Sequence, residues 1–185
     1  RVPLIVRVPE GVQGHVVEEP VEVFDIMPTT LELAGVEARH THYAQSLMPH
    51  LHGACGDPQR AVFAEGGYDI HELHCFEGKA FDGIAGNPES VYYPKGLQQQ
   101  QRPESVCRAV MIRTLAHKLV WRTNGQCELY DLQQDPHELR NVFAEREYAA
   151  VQRQLEQRLL NWQTQTGDAV PFEPDPRGFP TELVH

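Results

Sequence analysis

Apolar residues recur at helical spacing early in the chain and predict one helix over residues 25–35. Asp25 precedes the apolar run, where its carboxylate is predicted to cap the first free backbone N–H groups. Gly35 follows the run in the place of a left-handed C-terminal cap. The spacing also predicts that the helix is buried through one broad apolar face. The residues that define this face are Ile26, Thr30 and Leu33.

Three shorter patterns flank this helix. Residues 4–8 form an apolar run between two prolines, which is typical of a strand. A short apolar helix is predicted at residues 46–51. Residues 60–65 read as a further strand, and Gly66-Gly67 then supplies a point at which the backbone can turn sharply.

The second half of the chain predicts an antiparallel meander followed by a long helix. Three alternating runs at residues 106–113, 117–122 and 127–132 are typical of strands, and Asn124-Gly125 is a strong hairpin signal between the last two. The helix is predicted from about residue 145 to residue 164, with one narrow apolar stripe that packs on the sheet. The stripe consists of Tyr148, Val151, Leu155, Leu159 and Trp162.

Two stretches lack such patterns. Residues 68–104 are rich in glycine and proline and predict a long irregular insert, in which the glutamine tract at 98–101 is exposed. The segment 169–185 is too rich in proline for regular structure. The patterns therefore divide the chain into residues 1–60, residues 61–168 and a tail. The predicted class is α/β, with an α/β edge followed by a small antiparallel sheet and one long packed C-terminal helix.

The charge balance limits the classes of partner. Sixteen Lys and Arg against 26 Asp and Glu give a net charge of −10 at pH 7. Because a nucleic-acid backbone is bound through clustered cations, nucleic acid is not expected as a partner. A small anionic substrate stays compatible, since its site needs only a few local cations. No apolar run approaches the ~20 residues of a membrane span, so no membrane partner is expected.

The cysteines point to free thiols. They are widely separated and form no C-x-x-C pair, and a chain of 185 residues does not depend on disulfide staples. The compartment stays open, although unpaired cysteines favour the cytoplasm over an oxidising environment. The four residues are Cys55, Cys75, Cys107 and Cys127.

Three ordered stretches of the chain resemble the sulfatases of the alkaline-phosphatase-like superfamily. The first reads PLIV at residues 3–6 and VEVFDIMPTTLELAGV at residues 21–36. The second reads SLMPHLHG at residues 46–53. The third reads MIRT, KLV, ELYDL and DPHELRNV within residues 111–142. Each stretch is weak alone, but their order and spacing match the family across most of residues 1–165.

The resemblance implies a C-terminal portion of a sulfatase that hydrolyses a small sulfate-ester substrate. In that family the nucleophile is a formylglycine made within a CxPSR-like motif, beside a divalent cation that is usually calcium. Neither that motif nor an Asp-Asn pair occurs in these 185 residues. The resemblance therefore places the catalytic residues and both cofactors upstream, in an N-terminal portion that is the expected partner. The chain alone is expected to be inactive, with no catalytic, cofactor-binding or metal-binding residue, and an oligomer stays possible.

The segment after Gly66-Gly67 holds the candidate residues for a substrate-cleft rim, Tyr68, His71 and His74. The resemblance implies that C-terminal loops reach the rim of the cleft. A histidine near neutral pH can donate a hydrogen bond to a sulfate or leaving-group oxygen. The competing interpretation is a solvated loop with ordinary polar residues, since surface loops carry function often but not usually.

Three other functions remain open. Phosphonate and phosphate monoester hydrolases of the same superfamily share much of the pattern. The sheet and the long helix could instead form a non-catalytic interaction module, although the apolar stripe is more simply a packing face. A metal-binding module is the third alternative, although its histidine spacing matches no established zinc pattern. The histidine pairs concerned are His40 and His42, His50 and His52, and His71 and His74.

Overall fold

The computed structural model describes residues 2–69, 71–72 and 87–168. In these residues no helix is both long enough and apolar enough to cross a membrane. His74, one of the predicted rim residues, and the proline-rich tail lie outside the described residues.

The chain divides into two compact units. The first unit comprises Arg1–Arg60 together with Leu160–His185, and the sheet unit comprises Ala61–Leu159. The described residues of the first unit include α1 at Ile26–Leu33, the short α2 at Met48–Leu51 and a 3₁₀ turn at Val23–Asp25.

Helix α1 ends as its sequence predicts. Gly35 adopts φ of +66°, the left-handed conformation that favours glycine. The backbone N–H of Val36 donates to the carbonyl oxygen of Leu31 at 2.9 Å, which satisfies one of the last helix carbonyls. Local signals were therefore sufficient to place this helix and its C-terminus.

The predicted role of Asp25 as a side-chain cap of α1 is wrong. Its carboxylate makes no capping hydrogen bond to the helix. Instead, it accepts the backbone N–H groups of Glu22 and Gln45, each at 2.8 Å, and forms an ion pair with Arg60. Asp25 is 0% exposed and Arg60 is 8% exposed. Because a buried guanidinium requires a counter-charge, the carboxylate serves Arg60 rather than the helix end.

The predicted apolar face of α1 is not buried in the first unit. Ile26 is 42% exposed and Leu33 is 47% exposed, whereas Thr29 is buried. The Thr29 hydroxyl donates to the carbonyl oxygen of Asp25 at 2.5 Å and accepts the backbone N–H of Leu47 at 2.8 Å. The segment before α2 therefore lies against a polar side of α1, which the apolar periodicity did not indicate.

Residues 4–8 were predicted as a strand, and the structure shows irregular backbone there. Val2 is 79% exposed and Ile5 is 94% exposed. A strand is stabilised by hydrogen bonds to a neighbouring strand, and no described residue supplies such a ladder to this segment. The apolar pattern is present, but its pairing partner is not in the described part of the chain.

The sheet unit is built on one four-stranded antiparallel sheet with the order β1-β2-β3-β4. The predicted meander is confirmed, and the preceding strand joins it as an additional edge. The strands are β1 at Val62–Gly66, β2 at Ala109–Arg113, β3 at His117–Arg122 and β4 at Glu128–Asp131. Its helices are α3 at Tyr93–Gln101 and α4, which spans Ala149–Thr166 and belongs to this unit up to Leu159. It also contains 3₁₀ turns at Pro103–Val106 and Arg146–Tyr148.

The core of the sheet unit lies along one row of the strands. Ile112, Leu119 and Leu129 are neighbours in the register of β2, β3 and β4, and each is 0% exposed. The long C-terminal helix is confirmed, and its predicted stripe supplies the buried Leu155 and Leu159. Burying such a side chain contributes roughly 1.5–3 kcal/mol, so this layer carries much of the stability of the unit.

The predicted irregular insert contains regular structure. Helix α3 includes the whole glutamine tract that was expected to be exposed, and Gln99 is 1% exposed. Gly96 and Gln99 are three residues apart and are both buried, so one side of α3 is covered. Gln is an ordinary helix former, and Pro94 lies in the first turn, where it is tolerated. Low sequence complexity was therefore a misleading signal for this segment.

Side chains on the opposite face of the sheet form a charged cluster around Tyr130. Lys118 lies 5.7 Å from the centre of the Tyr130 ring, and its ammonium is 2.5 Å from the Glu138 carboxylate. The Tyr130 hydroxyl donates to Glu128 at 3.0 Å. Burial and this hydrogen bond raise the pKa of Tyr130 from 10.0 to about 12. The cluster therefore favours the neutral phenol.

This pKa shift predicts a pH dependence of stability. Below pH 10 the phenol is neutral in the folded and unfolded states, and the stabilisation is fully present. As the pH rises from 10 towards 12, the unfolded chain ionises first and the stabilisation is lost. Tyr130→Phe is expected to make the unfolding free energy fall less steeply over this range. Urea unfolding at a series of pH values measures the slope, and equal slopes for both proteins would contradict the assignment.

Candidate functional site

A pocket of about 390 Å³ lies where strand β1 ends. One wall is the turn that follows the strand, and a second wall is the segment around Cys107. Helix α3 supplies the third wall. The sheet face carried by β1, β2 and β3 forms the floor. All of these segments belong to the sheet unit.

Gly67 sets the direction of the first wall. It adopts φ of +83°, and a Cβ atom there would lie 2.2 Å from the carbonyl oxygen of Cys107. The next residue, Tyr68, forms a parallel bridge with Cys107, and its N–H donates to the carbonyl oxygen of Val106 at 2.7 Å. The close approach of the two backbones therefore requires glycine and places Tyr68, which is half-buried, in the pocket wall.

Small side chains leave the space above the sheet. Gly66 and Ala109 are register partners, and Ala64 lies two residues earlier on the same face of β1. Met111 is the register partner of Ala64 and completes the floor. Gly66, Ala109 and Ala64 carry no side chain larger than a methyl group. A space therefore remains between the sheet and helix α3.

Helix α3 supplies two polar side chains to the pocket. Lys95 and Gln99 both line it and are four residues apart, so they lie one turn apart on the same side of the helix. Gln99 is 1% exposed, whereas Lys95 is exposed. The buried amide thus lies deeper than the ammonium, which lies towards solvent.

Arg122 lines the pocket from β3 but is already paired. Its Nη2 lies 2.9 Å from the Glu128 carboxylate, and its Nε donates to the same oxygen at 3.0 Å. This pairing fixes the guanidinium and offsets its charge.

Of the three predicted rim residues, the structure describes Tyr68 and His71. Tyr68 lines the pocket, but His71 does not. His71 is exposed, and its N–H donates to the Asp69 carboxylate at 2.8 Å within a turn. His74 lies outside the described residues. The role of these residues at a cleft rim stays a prediction.

The turn that carries His71 is held by Glu72. Its carboxylate accepts the backbone N–H of Asp69 at 3.1 Å and pairs with Arg108. The hydrogen bond from Asp69 and the charge of Arg108 lower the pKa of Glu72 from 4.5. The segment is therefore fastened to the residue that precedes β2.

The sequence patterns did not indicate that Lys95 and Gln99 line a pocket. Both fall in a stretch whose glycines, prolines and repeated glutamines predicted an irregular loop. Their spacing of four residues was the available signal, and it becomes meaningful only once α3 is known to be a helix.

The described residues give the metal-binding alternative no support. Among them no group of three or more His, Cys, Asp or Glu side chains is placed to hold a metal ion. The rings of His40 and His42 are 6.0 Å apart, while His15 and His50 each lie near the carbonyl oxygen of Ala54, at 3.1 Å and 3.2 Å. His15 and His50 therefore share one backbone carbonyl oxygen, and His40 lies beside His42, so neither contact brings three metal ligands together.

Comparison with known proteins adds a family match and curated relatives. Residues 86–165 match the family of the C-terminal region of N-sulphoglucosamine sulphohydrolase. The chain is 31% identical over 176 residues to an N-acetylglucosamine-6-O-sulfatase of Bacteroides thetaiotaomicron, which covers 94% of this chain and 26% of the relative. It is 27% identical over 186 residues to the multifunctional alkaline phosphatase superfamily protein PehA of Trinickia caryophylli, covering 98% of this chain and 32% of that protein. The chain thus spans about a quarter to a third of these relatives.

Solved structures agree with these matches. A protein in complex with its substrate D-glucosamine-2-N,6-O-disulfate aligns with a TM-score of 0.54 and 28% identity, over 82% of this chain and 25% of that one. The phosphonate monoester hydrolase of Agrobacterium radiobacter aligns with a TM-score of 0.52 and 25% identity. This alignment covers 81% of this chain and 28% of that protein. The phosphonate monoester hydrolase of Silicibacter pomeroyi aligns with a TM-score of 0.61 and 23% identity, over 89% of this chain and 31% of that protein. At this identity the likeness supports the fold alone.

The family model covers most of the sheet and the long helix, and the sulfatase relative extends the match over nearly the whole chain. The predicted α/β class, with its small antiparallel sheet and long C-terminal helix, is confirmed. The predicted resemblance to the C-terminal portion of sulfatases of the alkaline-phosphatase-like superfamily is confirmed by the family match over residues 86–165 and by the similarity to the sulfatase relative over 94% of the chain.

Proposed function

We propose that this chain is the C-terminal portion of a sulfuric ester hydrolase that acts on sulfate esters. The observation that carries the proposal is the match over 94% of the chain to an N-acetylglucosamine-6-O-sulfatase at 31% identity. The chain supplies scaffold through its sheet and long helix. Tyr68, and with it His71 and His74, is proposed to contribute to the rim of the substrate cleft.

Formylglycine and calcium are proposed to reside in the part of the protein that precedes this chain. The described residues do not fit a resident calcium ion, because no cluster of three carboxylate or histidine side chains is formed among them. Asp25, which is 0% exposed, is occupied by Arg60 and two backbone N–H groups. None of the four cysteines is followed by x-Pro-Ser-Arg. No catalytic step is therefore assigned to residues of this chain.

Exposed apolar side chains in the first unit support a covalently connected partner. Monomeric proteins rarely expose large contiguous apolar patches, and such patches mark contact surfaces. We propose that the catalytic portion of the same protein packs against these side chains, among them Ile26 and Leu33 of α1. The most exposed apolar residues are Val2 at 79%, Ile5 at 94%, Val16 at 72%, Val23 at 69% and Phe24 at 76%.

Hydrolysis of phosphonate or phosphate monoesters is the second candidate function. The likeness to the Agrobacterium radiobacter phosphonate monoester hydrolase, at 25% identity and a TM-score of 0.52, favours it. The sulfatase assignment is preferred because the family model and the relative at 31% identity both carry sulfatase names. A non-catalytic interaction module is less well supported, since Leu155 and Leu159 of the apolar stripe are already buried.

A comparison of two proteins and two substrates tests this proposal. The protein that contains this chain together with its upstream sequence is expected to hydrolyse N-acetylglucosamine 6-sulfate with a higher kcat/KM than a phenylphosphonate monoester. The 185-residue chain alone is expected to hydrolyse neither, because the family's catalytic motif is absent from its sequence. A higher kcat/KM for the phosphonate would select the second candidate. Hydrolysis by the isolated chain would refute the proposal that the catalytic residues lie in the upstream portion.

A further inference from the structure

We propose that an acidic pocket at the end of α1 receives an arginine side chain from the catalytic portion of the same protein. The pocket encloses about 310 Å³ within the first unit. Its charged and polar lining residues are Glu32, Glu37 and His42. The inference rests on the proposed function, since that proposal places the catalytic portion against side chains of α1.

One short segment of the chain forms both walls of the acidic pocket. The first wall is the side of α1 that carries Pro28, Leu31 and Glu32, which are neighbours because they are three and four residues apart. Gly35, with φ of +66°, then reverses the chain. The segment that begins with Val36 returns as the second wall. Apolar side chains therefore contribute to both walls, beside the carboxylates.

The acidic pocket carries negative charge that nothing in the described structure offsets. Among the described residues that line it, none is Lys or Arg. In the same part of the chain, the side chains of Glu32 and Glu37 have no ion-pair or hydrogen-bond partner. Arg39 lies nearby in the sequence, but it is exposed and does not line the pocket. The C-terminal end of a helix adds a partial negative charge, so the pocket favours a cation.

His42 indicates which kind of cation fits. Its Nδ1 atom is buried and has no hydrogen-bond partner among the described residues. Such an atom calls for a donor, and Nδ1 accepts a hydrogen bond when the ring proton is on Nε2. A metal ion does not fit, because no three His, Cys, Asp or Glu side chains of the described residues are placed to hold one. A guanidinium carries several N–H donors in one plane, enough for two carboxylates and the imidazole nitrogen.

The apolar parts of the walls suit the stem of the same side chain. Arginine lays its methylene groups along apolar surface while its charged end meets polar groups, and it is enriched in protein interfaces. Leu33 follows Glu32 and is 47% exposed, and it belongs to the side chains that the catalytic portion is proposed to cover. Both glutamates are exposed in this chain and are therefore accessible to that portion. Charge and position together make the catalytic portion the source of the arginine.

The double substitution Glu32→Gln with Glu37→Gln in the full-length protein tests the inference. Glutamine keeps the shape of each side chain and removes its charge. The folding equilibrium constant from urea unfolding is expected to fall by about tenfold, because the guanidinium is left in an interface without its counter-charge. Glu18→Gln is the matched control, since Glu18 is an exposed residue of the first unit outside the pocket. It should change the constant by no more than about twofold.

The sign of the change separates the alternatives. If an apolar surface covers the pocket, the double variant should fold more favourably, because two desolvated carboxylates are removed. If the pocket stays open, the constant should not change. Either result overturns the inference. If the full-length protein hydrolyses no sulfate ester, the proposed function fails, and the unfolding experiment still decides whether a cation occupies the pocket.

A labelling experiment on the unchanged protein covers the case in which the double variant does not fold. A water-soluble carbodiimide with glycine ethyl ester modifies accessible carboxylates. In the native full-length protein, Glu32 and Glu37 should be modified severalfold more slowly than Glu18, and the difference should disappear in urea. Equal modification of the three glutamates in the native protein would overturn the inference.

Discussion

Replacing Asp25 with alanine is expected to lower the free energy of unfolding by about 3–5 kcal/mol, the usual cost of breaking a buried ion pair from one side. Asp25 is 0% exposed and its partner Arg60 is 8% exposed. The substitution leaves the guanidinium buried without its counter-charge. It also removes the acceptor for the N–H groups of Glu22 and Gln45, each held at 2.8 Å. The three lost contacts come from separate segments, so the fold of the first unit depends on this carboxylate.

Urea unfolding of the protein measures this effect. Asp57→Ala is the matched control, because Asp57 is an exposed aspartate whose carboxylate accepts the N–H of Gln59 at 2.8 Å within a turn. The control is expected to change the unfolding free energy by less than about 1 kcal/mol. The double variant Asp25→Ala with Arg60→Met should recover part of the loss, since it removes the unpaired charge. Equal losses for Asp25→Ala and Asp57→Ala would show that the pair does not stabilise the unit.

The role of Asp25 illustrates what local sequence signals can establish. Its position before an apolar run made it a plausible helix cap, and the helix and its glycine terminus were predicted correctly from the same run. The preference of the carboxylate for Arg60 depends on a residue 35 positions later. Residues 4–8 show the same limit. Their strand pattern is local, but a strand also requires a partner, which the described residues do not contain.

The meander of β2, β3 and β4 was more predictable because its strands are joined by short connections in sequence. Strand β3 occupies the predicted residues 117–122, and the hairpin signal at Asn124-Gly125 lies in the turn, where Gly125 adopts φ of +80°. Neighbouring strands in the chain are neighbours in the sheet, so alternation and turn residues were sufficient. Helix α3 was missed since its composition resembles that of a linker.

The candidate pocket contains one residue that the sequence indicated and two that it did not. Tyr68 could be selected from the sequence because it follows a pair of glycines at the end of a strand. Its meeting with Lys95 and Gln99 could not, because it requires α3 to form and to lie across the small residues of β1 and β2. The resemblance to sulfatases also gave no help at this point, since its motifs cover the scaffold on either side of the insert.

Replacing Gly67 with alanine is expected to lower the free energy of unfolding by about 3 kcal/mol, because two costs coincide there. The residue adopts φ of +83°, which is strained for any side chain, and a Cβ atom would lie 2.2 Å from the carbonyl oxygen of Cys107. The contact is with backbone, which cannot rotate away. The bridge between Tyr68 and Cys107 would therefore have to open, and Tyr68 would leave the pocket wall.

Two other glycines allow the conformational cost and the steric cost to be measured separately. Gly125 has φ of +80° but open space around its missing side chain, so Gly125→Ala should cost about 1–2 kcal/mol from conformation alone. Gly66 has neither a left-handed φ nor a neighbour within 4 Å, so Gly66→Ala should be neutral or slightly stabilising in a strand. Thermal or urea unfolding of the three variants should rank them in this order. If Gly67→Ala costs no more than Gly125→Ala, the Cys107 carbonyl does not constrain this turn. The first wall of the pocket would then tolerate a side chain at residue 67, and the placement of Tyr68 would depend on its own hydrogen bond to Val106.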